Sequence, residues 1–574
     1  MSGGKSVSVP WPLSTFPGGN PQESAGRLIN CYAEPLGDPQ LPTGPSGMVW
    51  RRTPGLSQHA ATAQTNYRGG LIVNNLAFEI FTNNCSTVDV NGTVVSLGSM
   101  PGTKKISIAR NLRTGSNSPD VVAVDIDNGA YSLNGGGAPT SYNGGGNLPQ
   151  PNSVCFQDGY FFFTIADGRC FASGINALTQ NSQTFTTANA KADVTLLRGI
   201  AFGGLLWLFS TGHCEIMQDT AQSFPAFPYT RLVVSEYGLV QANAIAGWEV
   251  GFNELLWVAQ DYGVYWASPG VTAQPTKVSP PDLDRLIEAQ VRAGNTLEAG
   301  VYVIGGKKFW VLSSPSWTWE FNLSTKKWNE KWSFNAGVYG RWRGTCGHPA
   351  FGKWLVGDQQ SGNILWVDVN NYTENGSPLL FRMESGPASN FPGQIRIARA
   401  DFNFDMGVGI NVGTFSMKVS GAAAGTGGVV RLTVDNTAQA KTNDICVITG
   451  VVGTTEANGT FPIRVVDATH IELLGVPFVH AYTSGGTALD ITAPSNAQLP
   501  VCAIWCSKDG GFTWGNPLVR QIGPLAKAKR QRASVKSLGQ SGPMGNRWRV
   551  DVTDPVYVGF LGSTQSSDPR DVGV

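Results

Sequence analysis

Charge is scarce in this 574-residue chain: only 14% of its residues are Asp, Glu, Lys or Arg, and 41 basic residues face 40 acidic ones. A protein that grips nucleic acid tightly carries a basic excess, because each neutralised phosphate releases counterions. The net charge of +1 argues against a sequence-reading DNA binder. It is compatible with a wall past which duplex DNA slides without being held. Long apolar runs are also lacking. The longest, Gly199 to Phe209, is too short and too Gly-broken to span a bilayer, so no membrane span is expected. Met1 to Pro12 places Pro and Ser where a secretory signal needs an apolar core. The nine cysteines (31, 85, 155, 170, 214, 346, 446, 502 and 506) are odd in number and scattered. Free, largely buried thiols in a protein made in a reducing cytoplasm are expected.

Catalytic signatures are missing too. No GxSxG, HExxH or phosphate-cradling GxxxxGK[ST] occurs. Cys502 and Cys506 share one face of a strand, but no second pair or nearby His completes a metal site; His470 and His480 fall in another segment. His213 and Cys214 are adjacent, so on a strand they point to opposite faces. Ser507-Lys508-Asp509-Gly510-Gly511-Phe512-Thr513-Trp514 resembles an Asp-box hairpin, in which the Asp bonds the turn backbone and the Trp packs beneath. That is a mechanical role. The expectation is a non-enzyme with no catalytic residues, no cofactor and no metal.

What the chain has in excess is Gly (71), Pro (34), Phe (27) and Trp (17), the materials of many tight turns between short aromatic strands. The class is all-β. One pattern recurs: a turn, a short apolar run, a polar turn, then a second aromatic strand. Examples are GGLIVNNLAFEIF from Gly69, GGLLWLFSTGHCEIM from Gly203 and NELLWVAQDYGVYWA from Asn253. The runs begin at Leu71, Val121, Tyr160, Leu205, Leu255, Phe309 and Trp354, roughly 39 to 54 residues apart. Three or four strands per interval is the size of a propeller blade. Runs such as LLWLF and YFFF are apolar on both faces, as strands between neighbouring blades must be. A β-propeller of six or seven blades is therefore expected over 61–370. Hairpins packed as sandwiches, the competing architecture, would give turn signals at closer spacing.

Residues 1–60 read differently. Prolines at 10, 12, 17, 21, 35, 39, 42, 45 and 54 suggest an extended docking arm unable to build a central strand. Residues 371–419 and 488–574 read as halves of a C-terminal β-domain. Between them, 420–487 reads as an inserted small β-barrel or sandwich, with Gly421–Gly428 and Ser484–Thr487 as its linkers. One basic cluster stands out: Lys527, Lys529, Arg530, Arg532 and Lys536, followed by Arg547 and Arg549. These are candidates to face a partner or the DNA backbone.

RLINCYAEP (Arg27 to Pro35), RRTPGL (Arg51 to Leu56), KVSPPDLDRLIEAQ (Lys277 to Gln290) and the terminal RQRASVKSLGQ follow one another in an order that resembles the packaged-DNA stabilisation proteins of short-tailed bacteriophages, the tail hub or nozzle subunits. The resemblance covers most of the chain except 420–487. It implies a homohexameric ring below the portal and its adaptor, carrying a tail needle, fibres or tailspikes. Such a ring retains packaged double-stranded DNA and conducts it at ejection without sequence specificity. It also implies a virion-tail location after synthesis in the host bacterial cytoplasm. On that reading Arg27, Tyr32, Trp50, Arg51 and Arg52 are candidates for ring or adaptor docking. A propeller-type glycan-binding or glycoside-hydrolysing receptor-recognition tail protein is the alternative, since sugar faces stack on exposed aromatics. A cellular interaction scaffold is a third reading, because propellers are generic platforms.

Overall fold

The computed structural model describes residues 6–38, 41–42, 47–134, 137–192, 195–270, 274–389, 393–405, 415–440, 442–491, 500–522 and 531–567. The chain forms two compact units, one made of residues 1–403, 502–520 and 533–574, the other of 404–501 and 521–532.

The first unit contains a seven-bladed β-propeller. Five blades are contiguous four-stranded antiparallel sheets spanning 69–98, 106–142, 153–187, 196–235 and 245–277. Blade six spans 298–330. Blade seven takes three strands from 344–368, and its fourth is Gly55–Ala60, antiparallel to Ile364–Asp368. The first strand of each blade lies innermost. The seventh such strand, Gly344–Ala350, adjoins the first, Gly69–Val73, so the circle is closed.

The aromatic runs explain the stacking. In Tyr160–Thr164 of blade three every side chain is buried. Phe161 and Phe163 face blade two, packing with Val122 and Val124. Tyr160 and Phe162 face blade four, packing with Leu206 and Leu208. A period of two thus serves two neighbours, each buried Phe contributing about 1.5–3 kcal/mol. The turn into this strand, Asp158–Gly159, has φ of 48° and 91°. Those values suit the two-residue hairpin turns whose twist matches the flanking strands.

The N-terminal segment corrects an expectation. It is no detached arm, and it does build a central strand. Arg27–Ile29 lies inside a nine-stranded sheet, parallel to Lys327–Glu330 of blade six and antiparallel to Phe381–Glu384. Cys31–Pro35 and Met48–Arg52 pair with each other in a further sheet that includes Gly559–Ser567. The prolines bracket these strands rather than interrupt them: 27–34, 48–53 and 55–60 contain none, so each can join a ladder. A second departure is one α-helix, Pro281–Arg292, which buries Leu283 and Ile287. Pro281 at its first turn, the acidic Asp282 and Asp284, and the i, i+4 apolar pair were the available signals.

The second unit holds a closed six-stranded barrel whose strands run from Phe415–Ala424 to Thr487–Asp490. Its core includes Met417, Leu432, Ile448, Ile471 and Leu473. Gly421–Gly428, expected as a linker, is instead the end of one barrel strand and its hairpin turn. Thr487, expected in the other linker, begins the strand that closes the barrel against Phe415–Ala424. Glu472 is fully buried and held by Arg431 and Arg464.

Candidate functional site

The innermost strands of all seven blades enclose a cavity of about 1000 Å³. Its lining includes the apolar Ile108, Val154, Ile200 and Val303. Charged groups are fixed at intervals around it. Lys105 Nζ donates to Thr345 Oγ1 (2.7 Å) and lies 3.7 Å from Glu298. Glu298 also accepts from Arg341 at 2.5 Å. Burial alone would raise the Glu298 carboxyl, but Lys105 and Arg341 outweigh it and hold it at about 2. Arg68, with no exposed surface, pairs with Asp125.

At the seam between blades one and seven, Glu79 accepts from Tyr67 OH at 2.7 Å, and its second oxygen lies 3.5 Å from His348 Nε2. Both side chains are buried. Burial pushes Glu79 up to about 8 and His348 down to about 4.

The docking candidates already have partners inside the chain. Trp50 is buried and its indole N–H donates to the Pro12 carbonyl at 2.7 Å. Arg52, 5% exposed, donates to the carbonyls of Val552, Asp554 and Val556 at 2.5, 2.6 and 2.7 Å. Burial lowers its guanidinium to about 10. Arg51 binds Glu34 at 2.6 Å and also donates to Tyr557 OH. Tyr32 packs edge-on against Phe309 beneath Lys307.

Arg27 and Arg549 belong to one charge lattice on the nine-stranded sheet. Arg27 grips Glu330 through two bonds of 2.9 and 2.6 Å and lies over Trp332. Arg382 grips Asp551 at 2.8 and 2.6 Å. Arg549 binds Glu384 at 2.8 Å and caps the Trp514 ring at 4.3 Å. Three cations meet three carboxylates, so the lattice carries no net charge to attract DNA. Arg547, proposed as partner-facing, is 2% exposed. It donates to the carbonyls of Ser385 (2.8 Å) and Pro21 (2.7 Å) and to Ser24 Oγ (3.0 Å). Arg547 and Arg549 find their partners across strands more than 150 residues away in sequence, a pairing that a linear scan does not show.

Of the basic cluster, Arg532 and Lys536 are exposed on Gln531–Gln540. Lys527, Lys529 and Arg530 lie outside the described residues. In the Asp-box, Asp509 accepts from Ser507 Oγ (2.7 Å), the Thr513 N–H (3.0 Å) and Thr513 Oγ1 (2.6 Å). The carboxylate is spent on its own turn. Among the described residues, no cluster of three or more His, Cys, Asp or Glu side chains is placed to hold a metal ion, and no helix is long and apolar enough to cross a membrane.

The family described as "Bacteriophage P22 Gp10, beta-propeller" matches residues 30–371. No curated protein matches the chain. Among solved structures, the WD40 β-propeller domain of Doa1 aligns at 8% identity and a TM-score of 0.35, over 55% of this chain and 96% of that one. The computationally designed Ika8 protein aligns at 10% identity and a TM-score of 0.32, over 64% and 100%.

Proposed function

Because the chain belongs to the bacteriophage P22 Gp10 β-propeller family, a family of phage structural proteins, we propose that it is a tail hub or nozzle subunit. Copies assemble into a homohexameric ring that continues the portal channel, retains packaged DNA and conducts it at ejection. The observation that carries this reading is the family match, which begins at Asn30 and ends three residues past the last strand of blade seven's core sheet. On this reading the DNA path is formed between copies around a symmetry axis, where heterologous contacts close into a ring. The near-zero net charge fits as well, since a conduit must not retain its cargo. Portal or adaptor proteins above, and fibre, tailspike or needle proteins beside or below, are the partners this role requires.

Electron microscopy of the purified chain and of virions tests the reading. A six-fold ring with a central pore, located at the tail by a label on this chain, is the expected result. Virions that lack the protein yet keep their DNA would refute the retention role.

A further inference from the structure

We propose that the central cavity of the propeller is a binding site for a small organic anion, a carboxylate or phosphate head on an apolar body, anchored by Arg198.

Arg198 lies on Leu196–Phe202, the innermost strand of blade four, and is 9% exposed. Its Nη1 donates to the Ala242 carbonyl (2.9 Å) and to Asn243 Oδ1 (3.3 Å), which fixes the guanidinium in place. Its Nε has no partner and is itself buried. Among the described residues no carboxylate forms an ion pair with it. An arginine stays protonated at neutral pH even where burial lowers its pKa, so it cannot escape by neutralising. A buried charge without a close counter-ion is costly. Arg68 and Arg343 hold Asp125 and Asp358, and Arg52 and Arg547 donate to three and two backbone carbonyls. Arg198 lines the cavity with no such set of partners and, among the described residues, no ion pair.

The surroundings specify the ligand. Glu249 also lines the cavity, but its Oε2 accepts the Gly247 N–H at 2.7 Å, and burial raises the carboxyl to about 7. Its charge acts on Arg198, but it is committed to a turn and forms no ion pair with the guanidinium, so it compensates that charge only in part. Arg110 and Lys353 are further cations on the lining, while Glu298 is matched by Lys105 and Arg341. The cavity is thus electropositive, which selects an anion. Its apolar lining residues and the Trp248 ring, 4.9 Å from the Arg198 guanidinium, call for an apolar body on that anion. A volume of about 1000 Å³ is at the upper end for small-molecule sites.

Equilibrium dialysis of the full chain against benzoate and phenyl phosphate, with benzamide as the uncharged counterpart, tests this. One anion per chain should bind, about tenfold or more tighter than benzamide, as expected of a charge-assisted contact; the preferred probe identifies the head group. Arg198→Gln should lose that margin while keeping its circular dichroism spectrum. Absence of binding by both anions, equal binding of benzamide, or undiminished binding by a folded Arg198→Gln would overturn the proposal. If that variant does not fold, the charge comparison on the wild-type chain decides alone. A negative result leaves the ring reading intact.

Discussion

The propeller and the barrel are both closed β-structures, yet they close in opposite ways. The barrel completes itself within 415–490, where the strand Phe415–Ala424 meets Thr487–Asp490. The propeller closes through Gly55–Ala60, which reaches Ile364–Asp368 some 300 residues later in the chain. It is then locked by Arg52 and Arg547, which tie the N-terminal segment to residues 552–556 and 385. Closure by distant strands makes the propeller's integrity depend on its ends; local closure makes the barrel independent of them. The lesson concerns where a sheet's last strand comes from, not how many strands it has.

The largest expected effect follows directly. Deleting residues 1–60 removes the closing strand and should abolish the cooperative thermal transition of the propeller, while a fragment of residues 404–501 melts cooperatively on its own; calorimetry of both reads the contrast. A deletion variant that still melts as one propeller unit breaks it.

Next in size is Arg52→Ala. Three buried carbonyls lose their donor, and destabilisation of about 3 kcal/mol or more is expected from the denaturant midpoint.

The seam should also respond to pH. Glu79 has a folded pKa of about 8, above its ordinary value of 4.5, so the folded state binds the extra proton. Its contribution is full below pH 4.5 and is lost as pH rises toward 8. Glu79→Gln should flatten the propeller's melting temperature across that window.

The barrel has the opposite sign. Burial alone would raise Glu472, but the Thr426 N–H and the Arg431 and Arg464 guanidiniums hold it at about 2. Its stabilisation is present above pH 4.5 and fades as pH falls toward 2. Glu472→Gln should lower the barrel's melting temperature at pH 7, with the gap narrowing in acid. Parallel pH curves for the two variants would remove this distinction.

The smallest effect expected is from Asp509→Ala, about 1 kcal/mol, because only the bonds of one exposed turn are lost.

Much of the fold was legible because blades repeat. The apolar runs at Tyr160 and Leu205 are doubly buried for the same reason, and the spacing of their turns marks each blade. Blade seven's fourth strand was not legible, since GLSQHA, although free of proline, is short and mostly polar and its partner lies about 300 residues further on. The site was harder still. Arg198 sits in an apolar run, LLRGIAF, as one interrupting cation, and only the circle of inner strands shows that it borders a cavity. Arg547 and Arg549 read as one basic patch but face different surroundings: two residues apart, one is enclosed by the N-terminal segment and the other paired on the sheet face.

The Gly55–Ala60 strand has a consequence for biosynthesis. It leaves the ribosome early, and its partner near Asp368 follows about 300 residues later; at 5–20 residues per second the interval is roughly 15 to 60 s. Throughout that wait its backbone edge is unpaired, so the nascent chain carries an adhesive strand with no legitimate neighbour. Slow translation or a crowded polysome would then favour pairing between chains, and the polar Ser57, Gln58 and His59 in that strand are suited to keeping it dissolved until its place exists.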